Sequence, residues 1–269
     1  MHEIMITKTV ANTGVAVSPI GFGTVKIGRD QGVKYPTKFT IPDDQKVLKL
    51  LSCCRELGIN LLDTAPAYGL SEQRLGQLLN HFDRQRWVLS SKAGEEFNND
   101  TGASHFDFSE KALTLSVERS LQRLNTDYLD IVMIHSNGDD LKIIEQDLAL
   151  ETLNKLKAQG KIRATGMSTK TIAGGISALQ HSDCAMVTYN LAMRDELPVI
   201  EYAEQHNKGI FIKKAFASGH IQASADEDRI LASLQLIFSQ SAVSSAVIGT
   251  INEQNLRSNV AKYHQLIIS

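Results

Sequence analysis

Two kinds of segment alternate along the chain. The first is short and apolar: Ile20-Gly21-Phe22, Asn60-Leu61-Leu62, Trp87 to Ser91, Tyr128 to Ile134, Ile162 to Met167, Met186-Val187-Thr188, Ile210-Phe211-Ile212 and Ala246-Val247-Ile248. Most of these runs lack in/out alternation, as strands of a parallel sheet covered on both faces should. The second kind is longer and spaced like a helix. Residues 43–57 set Val47, Leu50, Leu51, Cys54 and Leu57 on one stripe, with Asp43 placed as an N-cap and Gly58 as the stop. Residues 109–124 repeat the pattern with Leu113, Val117, Leu121 and Leu124, and residues 148–159 end at Gly160. The same reading predicts helices over 71–80, 171–180, 196–207, 227–240 and 252–265.

Strands separated by helix-length segments need right-handed crossovers and therefore a parallel sheet. Eight such pairs in 269 residues predict the α/β class and a single-domain (β/α)8 TIM barrel, a fold that takes roughly 250 residues. A doubly wound open sheet is the alternative. Residues 4–18 precede the first barrel strand and carry Asn12-Thr13-Gly14 between two β-prone runs, which predicts an N-terminal β-hairpin capping the barrel bottom. No Pro- or Gly/Ser-rich linker divides the chain. The longer irregular stretches are 25–41, 93–108, 136–147 and 216–226, each following a predicted strand. In a barrel such loops open on one face, where active sites form.

Composition narrows the partners. Hydrophobic residues make up 42% of the chain, charged residues 22%, and the net charge is −2. That balance carries no footprint for nucleic acid or an anionic membrane. The cysteines, Cys53, Cys54 and Cys184, are odd in number and lie in apolar segments, so they read as buried small hydrophobes. Met1-His2-Glu3-Ile4 does not open a signal peptide. No apolar run reaches the ~18 residues of a membrane span. The expectation is a soluble, cytoplasmic protein with a small-molecule substrate.

Candidate chemistry sits at the predicted strand ends. Asp63 ends the second strand, Tyr68 follows in its loop, Lys92 ends the third strand and His135 the fourth. In a barrel these ends are neighbours on one rim. A free tyrosine titrates near 10, and a nearby ammonium lowers that value. Lys92 can supply the charge, Asp63 can hold Lys92, and His135 can hydrogen-bond a substrate oxygen. A carbonyl oxygen gaining charge would then meet donors already aimed at it. Lys92 at a buried strand end needs a partner, because an unpaired buried ammonium is costly. Of eight histidines, only His135 has this placement.

The run Gly58-Ile59-Asn60-Leu61-Leu62-Asp63-Thr64-Ala65-Pro66-Ala67-Tyr68-Gly69, continuing through Ser71-Glu72 to Leu75-Gly76, resembles the signature of the aldo-keto reductase family. Ser91-Lys92, Tyr128-Leu129-Asp130 with Ile134-His135, Gly160 to Ser168, and Gly21-Phe22-Gly23-Thr24 are similar to further family motifs, in the expected order. The resemblance implies hydride transfer from a nicotinamide cofactor, usually NADP(H) with NAD(H) as the other option, to a small carbonyl substrate. It implies a catalytic set of Asp63, Tyr68, Lys92 and His135. It also carries cofactor-binding roles onto Gly23, Thr24, Asp63, Ser168, Thr169, Asn190, Lys213, Gly249, Thr250, Asn255 and Asn259, and it suggests a monomer or weak homo-oligomer.

The chain departs from the family pattern around the nicotinamide. Thr169 stands where Asn is usual, Met186 replaces a Gln that binds the carboxamide, and Lys213 falls at the stacking aromatic. Lys213 or Lys214 is then free to meet a phosphate or the substrate. Gly249 and Asn255 replace basic residues common at the 2′-phosphate, with Thr250 or Arg257 as compensating candidates. Tyr35, Phe39, Phe97, Phe106, Phe108 and Phe216 are candidates for lining the pocket, and the short tail after the last helix suggests an open site. A Rossmann dehydrogenase is disfavoured because Lys26 stands where the third glycine of a Gly21-x-Gly23 motif belongs. A metal-dependent hydrolase is disfavoured because the strand ends lack a His and carboxylate cluster. A nicotinamide-binding sensor on the same fold is the competitor from another functional class.

Overall fold

Eight parallel strands hydrogen-bond into a closed barrel, each beside its sequence neighbours and the eighth beside the first. They are β1 (Ile20–Gly23), β2 (Leu61–Asp63), β3 (Val88–Ala93), β4 (Leu129–His135), β5 (Ile162–Ser168), β6 (Cys184–Thr188), β7 (Gly209–Lys213) and β8 (Val243–Ile248). This is the (β/α)8 TIM barrel of the α/β class. The computed structural model describes residues 5–33, 35–217 and 228–268.

Among the described residues, eight helices of eight or more residues cover the barrel: α1 (Asp44–Glu56), α2 (Ser71–Leu78), α3 (Glu110–Leu124), α4 (Ala149–Ala158), α5 (Ile172–His181), α6 (Leu197–Gln205), α7 (Arg229–Phe238) and α8 (Glu253–Ile268). The predicted cap of α1 is present, with Asp43 Oδ1 accepting from the Lys46 amide at 2.8 Å. Gly58 stops the helix in a left-handed conformation, φ 77°.

Most of the strands are apolar on both faces, but the two faces serve different cores. Leu61, Ile131, Met133, Ala164, Cys184, Met186 and Phe211 pack inside the barrel. Their neighbours Leu62, Val132, Ile134 and Met167 pack outward with the helices. The period of two along a strand therefore decides which polar residue at a strand end enters the barrel mouth. Asp63 is two residues beyond Leu61, His135 two beyond Met133, Lys213 two beyond Phe211, and Ser168 four beyond Ala164.

The predicted hairpin closes the bottom. Lys8–Thr9 pairs antiparallel with Ala16–Val17. Val10, Val15 and Val17 join the interior cluster, which keeps water out of that end. The expectation for the loops changes in three places. Residues 93–108 contain an antiparallel hairpin, Glu95–Asn98 against Ala103–Phe106. Short helices stand at Val25–Gly28 and Asp140–Glu145 inside the stretches 25–41 and 136–147. The stretch 216–226 lies largely outside the described residues. Strand β3 runs past Ser91 because Lys92 and Ala93 continue to pair with Met133 and Ile134 of β4.

Candidate active site

The inward-facing ends of the strands surround a cleft of about 760 Å³ at the barrel mouth. Its wall includes Gly23, Asp63, Tyr68, Lys92, His135, Ser168, Met186, Lys213, Gly249, Thr250, Asn255 and Asn259. The four residues read as a proton-transfer set thus meet in one place.

Lys92 and Asp63 form a buried ion pair. The ammonium donates to both carboxylate oxygens, at 2.7 and 2.8 Å, and to the carbonyl of Thr64 at 3.0 Å. These contacts, together with a hydrogen bond to Tyr68, make a lysine only 1% exposed tolerable. Burial pulls the Lys92 pKa down, but Asp63 and Tyr68 more than reverse this, and the net direction is up. Lys92 stays charged at neutral pH.

Tyr68 is held over this pair by a local device. Pro66 starts a single 3-10 turn, Pro66–Tyr68, and Gly69 ends it at φ 61°. A side chain at Gly69 would lie 2.3 Å from the Gly28 carbonyl. Arg29 ties the same turn to the short helix after β1 by donating to the Ala67 carbonyl at 2.8 Å. The Lys92 ammonium sits 4.8 Å from the centre of the phenol ring, and the His135 ring meets it edge-on at 6.2 Å. Burial raises the phenol pKa, Lys92 opposes the rise, and Asp63 cancels part of that opposition, so Tyr68 is pushed up to about 12. The lowering expected from an ammonium alone does not prevail, because burial of the phenol outweighs it and the Asp63 carboxylate offsets part of it. Tyr68 is a protonated donor across the physiological range.

Gly28 makes the approach of this turn possible. A Cβ there would lie 2.2 Å from the Ser71 amide nitrogen and 2.4 Å from the Tyr68 carbonyl. Gly28→Ala is expected to displace Tyr68 by a substantial fraction of an ångström and to cost on the order of 100-fold in turnover. Steady-state kinetics beside urea unfolding would show this, with activity falling far more than stability.

His135 is buried on one edge. Its Nδ1 is 2.9 Å from Glu95 Oε2, although the approach is off the line of a well-aligned N–H bond. Burial lowers the His135 pKa, Glu95 opposes, and Lys92 and Lys213 add to the fall. Burial would raise Glu95, but His135, Ser104 and Arg29 bring it down to about 2. Sequence reasoning missed Glu95 because nothing in its spacing announces that the hairpin folds over the barrel mouth.

Several residues with implied cofactor roles stand elsewhere. Thr24 and Thr169 are fully buried and one residue out of phase with the inward columns. Thr24 Oγ1 donates to the Asp63 carbonyl at 2.9 Å and accepts from Ser71 at 2.7 Å, tying β1, β2 and α2 together. Asn190 is also fully buried. Its amide bridges the Lys214 carbonyl at 2.9 Å and the amides of Ala192 and Met193 at 2.9 and 3.0 Å. Arg257 pairs with Glu56 of α1 at 2.6 Å instead of turning to Asn255. Of the pocket aromatics, Tyr35 and Phe216 wall the cleft. Phe39 packs on Tyr35, Phe97 lies under Arg29, and Phe108 packs beneath Gly94.

Lys213 reaches across the mouth. Its ammonium donates to Ser168 Oγ at 3.0 Å and to the Thr169 carbonyl at 2.6 Å. Burial lowers its pKa to about 8, with Glu196 opposing and Lys214 assisting. Lys26, Arg29, Lys92, Lys213 and Lys214 line the cleft, against Asp63 as its carboxylate among the described residues.

Comparison with known proteins places the chain in a family. The family model described as the aldo/keto reductase family matches residues 19–234. A crystal structure of a proposed aldo-keto reductase from Pseudomonas aeruginosa is 51% identical, with a TM-score of 0.88, covering 99% of this chain and 98% of that one. The aldo-keto reductase YhdN of Bacillus subtilis is 29% identical over 226 residues, 82% of this chain and 65% of that protein. The L-galactose dehydrogenase of Arabidopsis thaliana is 32% identical over 167 residues, 60% of this chain and 47% of that enzyme. The match thus spans less than two thirds of these last two relatives.

Proposed function

The chain belongs to the aldo/keto reductase family, and from that premise we propose that it interconverts small aldehydes or ketones and their alcohols, with Tyr68 as the proton donor in reduction. The observation that carries this reading is the convergence of Asp63, Tyr68, Lys92 and His135 on one cleft. The family premise supports an oxidoreductase that works with a nicotinamide cofactor. The cleft suits such a dinucleotide. It is large, its wall is cationic, and the first turns of α8 contribute Asn255, Ser258 and Asn259. Bound there, a reduced nicotinamide supplies the hydride that no side chain can provide.

The protein's own part is proton transfer and charge stabilisation. Tyr68 presents an O–H to the carbonyl oxygen. Lys92, kept charged by Asp63, sits beside the phenol and stabilises negative charge as the proton leaves. The low-dielectric surroundings of the pair strengthen this effect. We place the protein in the cytoplasm as a monomer or weak homo-oligomer. No described helix is long and apolar enough to cross a membrane. Loss of NADPH absorbance with a small reactive aldehyde tests the reading. Wild type no faster than Tyr68→Phe would replace it with a nicotinamide-binding sensor.

NADP(H) is our proposed cofactor, with NAD(H) accepted nearly as well. Gly249 and Asn255 offer no cation to a 2′-phosphate, and Arg257 is engaged by Glu56. Fluorescence titration is therefore expected to give dissociation constants for NADPH and NADH within about tenfold, or about 1.4 kcal/mol. A larger preference for NADPH would mean that another cation reaches the site.

A further inference from the structure

The hairpin after β3 brings a second carboxylate to the site. Glu95 Oε2 lies 2.9 Å from His135 Nδ1, with the two side chains only 14% and 20% exposed. Ser104 on the returning strand hydrogen-bonds Glu95, and Arg29 adds positive charge. Nδ1 has no other partner among the described residues, and the imidazole also lines the cleft, so its Nε2 edge faces the substrate space. The other groups around His135 are Lys92 from β3, Lys213 from β7 and the Tyr68 ring.

A neutral imidazole carries one proton. An ionised carboxylate only accepts, so the nitrogen facing it takes that proton. The nitrogen facing the cleft is then a lone pair. The sequence reading, in which His135 donates to a substrate oxygen, holds only for the imidazolium.

We propose that Glu95 is a positioning residue: it keeps the His135 proton on Nδ1, leaves Nε2 as a cleft-facing proton acceptor, and stabilises the imidazolium formed when an alcohol is oxidised. This rests on the oxidoreductase reading above. The alcohol O–H bond breaks as Tyr68 Oη takes the proton and releases its own to Nε2. The hydride, with its electron pair, leaves carbon for the oxidised nicotinamide of that reading. A carbonyl and a Glu95-paired imidazolium remain. In reduction the same proton returns through Tyr68. The arrangement supports a Tyr68 hydroxyl that holds its proton too tightly to ionise unaided.

Nitrogen-15 NMR of the wild-type protein, with the His135 signals assigned by difference from His135→Gln, reads the tautomer directly. The expected result is a protonated Nδ1 and an unprotonated Nε2. Glu95→Gln is expected to mix the tautomers and lower kcat for alcohol oxidation on the order of 100-fold, with cofactor dissociation constants unchanged. Oxidation needs neutral His135, so activity rises with pH through its pKa. Removing the Glu95 charge moves that limb to lower pH, and Glu95→Asp moves it back toward wild type. A wild-type Nε2–H tautomer, or an unmoved limb in an active Glu95→Gln, overturns the inference and leaves the oxidoreductase reading standing. A wild type that turns over neither alcohol nor aldehyde overturns both.

Discussion

Lys92→Met is expected to lower folding stability by about 3–5 kcal/mol and to remove measurable turnover. The stability figure follows from breaking a buried ion pair from one side, which leaves a charge without its counterion. Asp63 is only 3% exposed, and its carboxylate would keep the Ser90 hydroxyl, at 3.2 Å. The double variant Asp63→Asn/Lys92→Met is expected to recover most of the stability and none of the activity. Urea unfolding of the four proteins in the cycle measures this coupling. A single-variant loss below about 1 kcal/mol would mean that the pair behaves as a solvated one. The sign with pH also follows. Lys92 binds its proton more tightly folded than unfolded. Its contribution is therefore complete at neutral pH and is lost as pH rises beyond the ordinary lysine range toward the raised value.

Tyr68→Phe separates chemistry from structure. It removes one hydroxyl from a partly exposed ring, so stability and cofactor affinity should stay close to wild type. The general acid is lost, and kcat for aldehyde reduction should fall about 10²- to 10⁴-fold. A phenol pushed up to about 12 also makes a pH prediction. Ionisation of Tyr68 should produce no alkaline limb in reduction below about pH 10, because the donor remains protonated there. A limb near neutrality that vanished in Tyr68→Phe would show that Lys92 prevails over burial.

Much of this molecule could be read along the chain. The alternation of apolar runs with amphipathic stretches marks the barrel because strands covered on both sides must be continuously apolar. The cap at Asp43 and the stops at Gly58 and Gly160 act within one helical turn, so local chemistry settles them. The placement of Asp63, Lys92 and His135 at successive strand ends is enough to bring them to one rim. Lys92 in an otherwise buried strand already demanded a carboxylate.

Other features depended on neighbours distant in sequence. Thr24, Thr169 and Asn190 could not be told from cleft-lining residues until the phase of each strand and the path of each loop were known. Arg257 is directed by Glu56 on α1, 201 residues away. Glu95 gains its place from a hairpin whose pairing fixes where its side chain points. The net direction of the Tyr68 pKa depends on burial opposing a charge pair, and burial is a property of the whole packed barrel. Local patterns determine which elements form. Which side chains meet, and at what proton affinity, is decided by the packing that excludes water around them.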